Sequence, residues 1–381
     1  MTSVRVPVVL FTNSLAMGGM EQHVLLLASG LVRRGVRTAV VCSPRPEIAP
    51  LRDELRDVGA AVHTPSERTS AWRAGGRARD LVASFLDYRG GILHVHSTGF
   101  HGGDLVMLAA KGARLRAIVR TEHVPPQPPV GLPHRLHVRV RDRLLVSKVI
   151  CVSDGNRREH IDVLGRDARK LTVVPNGIDV ERFIRADGTG VHAELGLSSD
   201  VPLVGVVARL AEERKGVAEF VRMAALVAPA HPDARFVVVG DGPLLPSLKQ
   251  LAAEIGVDGR VSFLGERDDV ARYMAAMRVF VMPSLWEAGP LTLLEAMALG
   301  KAVVTTPVGV APDIVSDGRN GLIAPIGDVA ALAATVTRLL DDAGLSRRIG
   351  DAAQADARHS FSADHMVDET LRVYGAAMGG P

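Results

Sequence analysis

Two glutamates, Glu287 and Glu295, stand with seven residues between them in the stretch PSLWEAGPLTLLEAMALGKAVVTT, residues 283–306. Ahead of them VFVMPS reads as a short buried strand running into a loop. After Gly289-Pro290 the run LTLLEAMAL carries apolar residues at helical spacing, and Gly300 is a natural stop. Proline is tolerated in a helix's first turn, so Pro290 marks the start, with Leu291 just inside it. Glu287 then sits in the loop and Glu295 in the early turns of the helix. The unpaired N–H groups of such a helix end seat an anion, and carboxylates accept hydrogen bonds from vicinal hydroxyls. One acid before that seat and one just inside it suit a sugar linked to a nucleotide.

Other parts of the chain carry matching chemistry. VRVPVVLFT followed by NSLAMGGMEQ and HVLLLASGLVRRG reads as strand, glycine loop and helix, the layout of an anion-binding turn, with Gly18 and Gly19 in the loop. VPLVGVVARL is a buried strand followed by a loop with Arg209, Arg214 and Lys215. Arg209 and Lys215 stand six apart, so both can converge on one diphosphate; Arg214 is the neighbour left out of that clamp. AIVRTEH is a strand ending on His123, at the carboxyl end where parallel sheets bind ligands. His94 and His96, at i and i+2 of ILHVHS, share a strand face, but no third ligand has metal-site spacing, so no metal centre is expected. Gly240-Asp241-Gly242 opens like a dinucleotide fingerprint, yet Leu245 stands where its third glycine belongs.

Taken in order, Gly18-Gly19-Met20-Glu21, His94-Val95-His96, Thr121-Glu122-His123 and Pro175-Asn176-Gly177-Ile178-Asp179 are joined by Gly205–Leu210 with Lys215-Gly216. Gly240–Pro243, Phe263-Leu264-Gly265 and the paired glutamates follow. With these motifs nearly the whole chain resembles the family 4 glycosyltransferases, retaining enzymes of the GT-B fold. The resemblance implies an α/β chain of two Rossmann-like doubly wound domains facing across a cleft. It implies a nucleotide-sugar donor with Gly18 and Gly19 near its phosphates, and Arg209 and Lys215 neutralising the leaving group. It gives His123 and Glu287 to the sugar hydroxyls, Glu295 to the ribose, and Arg267 to the base. The common G-F-G-L-P run after the first glutamate is replaced here by AGPLT, so Pro290 offers no N–H to the sugar.

Alternating strands and helices in both halves also indicate two doubly wound sheets. Residues 1–179 form the expected acceptor-binding domain, 180–361 the nucleotide-sugar domain, and 362–381 a helix packing back on the first. The segment Val180–Asp200 reads as a polar hinge. No D-x-D pair occurs, so fixed positive charge from Arg209, Lys215, the Gly18-Gly19 amides and the helix start at Leu291 would hold the diphosphate. Neither a metal nor another cofactor is expected. The reaction expected is transfer of a hexose, from UDP-N-acetylglucosamine or UDP-glucose, to an acceptor hydroxyl. A nucleotide-sugar epimerase of the same architecture is the alternative, and an NAD-dependent oxidoreductase a more distant one.

At 381 residues, 47% of them hydrophobic, the chain can bury two cores. Cys42 and Cys151 lie in apolar runs, which argues for reduced, buried thiols. Neither a signal peptide nor a bilayer-spanning run is apparent, so a cytoplasmic protein is the expectation. The net charge of +3 conceals an asymmetry: residues 1–178 carry 26 Lys+Arg against 15 Asp+Glu, while 179–381 carry 19 against 27. No nucleic-acid motif accompanies the basic half. It favours an anionic acceptor (lipid, small molecule or saccharide) or peripheral contact with an acidic membrane. The basic helix HRLHVRVRDRLLVSK is the candidate contact, with the Trp72 segment, residues 67–80, as another. The proline-rich stretch 124–133 is assigned to the acceptor side.

Overall fold

The computed structural model describes residues 6–15, 17–64, 78–96, 103–124, 126, 130–287 and 289–379. Trp72 and most of its segment, together with parts of the proline-rich stretch, lie outside the described residues.

Contacts divide the chain into two units, residues 1–178 with 363–381, and 179–362. The first holds β1 (Val8–Thr12), β2 (Thr38–Val41), β3 (Ala61–His63), β4 (Ile92–His96), β5 (Ala117–Glu122), β6 (Lys148–Cys151) and β7 (Leu171–Val173). They form one sheet in the order β3-β2-β1-β4-β5-β6-β7, parallel throughout. The second holds β8 (Leu203–Val207), β9 (Arg235–Val239), β10 (Val261–Phe263), β11 (Val279–Met282), β12 (Ala302–Thr305) and β13 (Leu322–Ile323), ordered β10-β9-β8-β11-β12-β13 and again parallel.

Parallel strands buried on both faces read as unbroken apolar runs. In β1, Val8 and Leu10 join one core cluster while Val9 and Phe11 join the other, so each strand feeds the helices on both sides. The helix Ala363–Ala377 lays Met366, Val367, Val373 and Tyr374 into the first of these clusters, and so belongs to the first unit. The segment read as a polar hinge contains helices Val180–Ile184 and Val191–Glu194; Asp179 caps the former by accepting from Arg182 N at 3.1 Å.

Strand order reverses between β1 and β4 in one sheet and between β8 and β11 in the other. Open parallel sheets bind ligands just beyond the carboxyl ends of strands at such a switch point. The loop leaving β1 leads to Gly18, β4 ends on His96, and the loops leaving β8 and β11 carry Arg209, Lys215 and Glu287. Among the described residues no helix is long and apolar enough to cross a membrane.

Candidate active site

In the second unit the loop after β8 is clasped to the loop after β11. Gly216 has φ +69°, and a Cβ there would stand 2.0 Å from the carbonyl oxygen of Pro283. Only glycine allows that approach and that backbone together. Leu285 N donates to Arg214 O at 2.8 Å, and the Arg214 guanidinium lies over the Trp286 ring at 4.9 Å. The clasp brings charge to Glu287, which is 7% exposed: Lys215 Nζ pairs with its Oε1, and Arg214 Nη1 stands 3.6 Å from its Oε2. Glu212 carries the same cations' influence. Its bond from Arg214 holds its carboxyl below the usual range, with Lys215 and Arg209 adding to the effect.

Leu291 opens the helix Leu291–Ala298, with Pro290 as its cap residue, and Glu295 lies one turn in. Burial pushes Glu295 up to about 7, with Arg182 working against it. Near neutral pH it can therefore be a carboxylate or a neutral acid. Beyond β10, Arg267 lies over the Tyr273 ring at 5.2 Å, and Tyr273 Oη donates to Glu194 Oε1 at 2.5 Å. The Gly240-x-Gly242 turn is explained by packing. A Cβ at Gly240, φ +131°, would come within 1.9 Å of Ala208 O, so these glycines let two strand-end loops touch.

In the first unit, Gly18 caps the 15-residue helix Gly19–Arg33, whose first amides have no helical partner. His23, in that helix, turns its ring against two strand ends: its centroid is 4.8 Å from that of His123 and 5.3 Å from that of His96. His96 Nδ1 and His123 Nε2 are 3.1 Å apart, and His23 Nδ1 lies 3.1 Å from Asn176 Oδ1. Burial, reinforced by neighbouring histidines, holds His96 and His123 well below the usual imidazole range, and burial brings His23 down to about 4. All three rings are neutral at physiological pH.

Beneath them lies a charged lattice. Glu122, next to His123, accepts from Arg120 Nε at 3.1 Å and from Arg166 Nη2 at 2.8 Å, while Arg166 Nε pairs with Asp142 Oδ2 at 3.0 Å. Burial acts to raise the Glu122 pKa, but Arg166 and Arg120 override it and hold the carboxylate ionised. Buried ions need such full pairing, and this lattice fixes the end of β5 from which His123 projects.

Residues 17–182 match the family described as Glycosyltransferase Family 4, and residues 201–342 match Glycosyl transferases group 1. The 2-deoxystreptamine N-acetyl-D-glucosaminyltransferase of Streptomyces fradiae is 30% identical to this chain, over 96% of it and 92% of that protein. The chain belongs to glycosyltransferase family 4. The phosphatidyl-myo-inositol mannosyltransferase of Mycolicibacterium smegmatis is 29% identical over 95% of this chain and 91% of that one. Among solved structures, Anabaena HepE in complex with UDP has a TM-score of 0.85 at 21% identity, covering 97% of this chain and 100% of that one. The fold of this family 4 glycosyltransferase is therefore GT-B.

Sequence reading left Arg214 out of the site, whereas the clasp puts it between Glu212, Trp286 and Glu287. Reading by spacing could not find this, because Arg214 is positioned by a loop 72 residues away. His23 and Asn176 were equally unmarked as partners, being 153 residues apart. Spacing along β4 also missed the neighbour of His96: it is His123 and His23 that gather there. His94 is instead closed off, its Nδ1 2.6 Å from Tyr374 Oη and its Nε2 2.7 Å from Thr121 Oγ1.

Proposed function

We propose that this glycosyltransferase moves a hexose from a UDP-sugar, UDP-N-acetylglucosamine or UDP-glucose, to an acceptor hydroxyl with retention of configuration and without a metal. The observation that carries the reading is the triad of Lys215, Arg214 and nearly buried Glu287 at the switch point beyond β8 and β11. The ion pair holds two cations in place until a donor diphosphate offers them a stronger partner. Arg209, Lys215, the Gly18-Gly19 amides and the helix start at Leu291 would together balance the leaving group. Glu295 would accept from the ribose hydroxyls and Arg267 would meet the base.

Glu287, held between Lys215 and Arg214, is suited to orienting sugar hydroxyls rather than to attacking carbon. Neutral His123 can likewise exchange a hydrogen bond with a sugar hydroxyl. Retention would then follow a same-face route, in which the departing phosphate takes the acceptor's proton as the new bond forms. Purified protein given UDP-sugars and a panel of acceptors should release UDP only when an acceptor is present, with product visible by mass spectrometry. Acceptor-independent release or an epimerised sugar would favour the epimerase alternative. Loss of turnover on chelation, restored by magnesium, would remove metal independence.

The acceptor reading is extended by helix Leu132–Leu144 in the first unit, where Leu132, Leu136 and Leu144 are 76%, 58% and 69% exposed. Exposed Arg139 and Arg143 flank this stripe, which suits the surface of an anionic bilayer. Co-sedimentation with vesicles containing phosphatidylglycerol should be lost on Leu136→Glu plus Leu144→Glu. Equal pelleting of that variant would remove the membrane contact.

A further inference from the structure

We propose that His23, His96 and His123 form a binding site for a divalent cation of the zinc class. One nitrogen from each ring lies within 4.8 Å of the others. His96 Nδ1 and His123 Nε2, at 3.1 Å, are already close to the roughly 3.3 Å that separates neighbours around a tetrahedral ion with 2.0–2.1 Å bonds. The third nitrogen, within 4.8 Å of these two, would have to approach to complete the set.

Two further observations point to a ligand rather than to packing alone. His23 is 3% exposed, yet its Nε2 has no hydrogen-bond partner among the described residues. Buried polar atoms of native proteins are ordinarily satisfied, and an orphan marks a missing water, ion or substrate. His94, on the same strand, shows what a purely structural histidine here looks like, with both nitrogens bonded. Secondly, His23 is oriented as zinc ligands are. An amide oxygen only accepts, so Asn176 Oδ1 holds the proton on His23 Nδ1 and leaves the lone pair on Nε2.

The donor set names the ion. Three imidazoles suit Zn²⁺, Co²⁺, Ni²⁺ or Cu²⁺, whereas Mg²⁺ and Ca²⁺ seek oxygen. His123 is only partly buried and gives the ion a way in. The proton shared between His96 Nδ1 and His123 Nε2 must move to the far nitrogen of its ring, so each imidazole stays neutral and binding releases no net proton. The ion is inhibitory, because it takes the ring through which His123 would meet the sugar. That consequence rests on the proposed function; the binding itself does not.

Untagged protein, stripped with chelator and dialysed, should be titrated with Zn²⁺ against a chromophoric chelator and separately with Co²⁺. One zinc per chain is expected, at a Kd of about a micromolar or tighter, with visible Co²⁺ bands free of thiolate charge transfer. His23→Gln and His96→Gln should each weaken binding about a hundredfold, and Asn176→Ala about tenfold, with cooperative melts retained. Absence of zinc binding to the folded protein at about a hundred times that concentration, or unchanged affinity in both histidine variants, would overturn the site. Zinc bound with UDP release unchanged would still establish it, and would remove instead the contact of His123 with the sugar.

Discussion

The two units solve the problem of holding reactive side chains in opposite ways. At the ends of β4 and β5 the reactive groups are neutral: above the ionised Glu122 lattice, the rings of His23, His96 and His123 are held by burial, by each other and by Asn176. Around β8 and β11 they are ionised, and Lys215, Arg214 and Glu287 are held by attraction across a clasp of two loops. Desolvation suits imidazoles that must stay uncharged, because it disfavours the protonated form. The same desolvation would penalise a lone cation or carboxylate, so the charged set survives half-buried only because it is paired. The histidine rings are organised by packing, and the Glu287 set by compensation of charge.

The contrast can be broken most directly at Glu287. Glu287→Ala removes the acid that positions Lys215 and Arg214, and acceptor-dependent UDP release should fall on the order of a hundredfold while the melting curve stays cooperative. A variant that keeps wild-type turnover would show that the charged set is not the working one. Next in size is Gly216→Ala, whose Cβ meets Pro283 O under a left-handed backbone. It should lower stability by about 1–3 kcal/mol by denaturant titration, and raise donor KM as the clasp loosens. An unaltered unfolding midpoint would mean the loops are not joined there.

Glu295 sharpens the comparison, since it is an acid placed under the desolvation that the histidines experience. Glu295→Ala should raise donor KM about tenfold, with a smaller change in kcat. Its pKa is raised to about 7, so it is neutral below that pH and ionised above it. A carboxylate accepts more strongly than a neutral acid, and donor KM should fall as pH rises from about 6 to 8. The stability sign is opposite. A carboxyl raised in the folded state binds its proton there more readily than when unfolded, so stability declines between the ordinary glutamate pKa and about 7. Glu295→Gln should flatten both profiles; a KM that keeps its slope in that variant would assign the titration elsewhere. The smallest effect belongs to Tyr374→Phe, which leaves buried His94 Nδ1 unbonded and should cost about 1–2 kcal/mol by thermal melt, with no change in donor KM.

Much of the fold is legible along the chain. VFVM, AVVT and VVLFT lie in apolar runs too short for helices, and they are strands. Pro290 and Gly300 bracket the helix that carries Glu295, with Gly300 at φ +67°. Legibility failed for β3 and β13, which are three and two residues long and sit at sheet edges, too short for periodicity to register. It failed at 180–200 as well, where two short helices lie, the first capped by the Asp179 side chain and the second led in by Gly190.

By itself the sequence determined the central strands of both sheets, their parallel sense, the helix behind the paired acids and the family, because each depends on local pattern or on motif order. Only the tertiary structure decided which charges meet. Arg214 joins Glu287 through a clasp that one glycine permits, and His23 reaches His96 and His123 across a helix and two strands. Contacts between distant segments depend on where strand ends converge, and spacing along a chain does not encode that convergence.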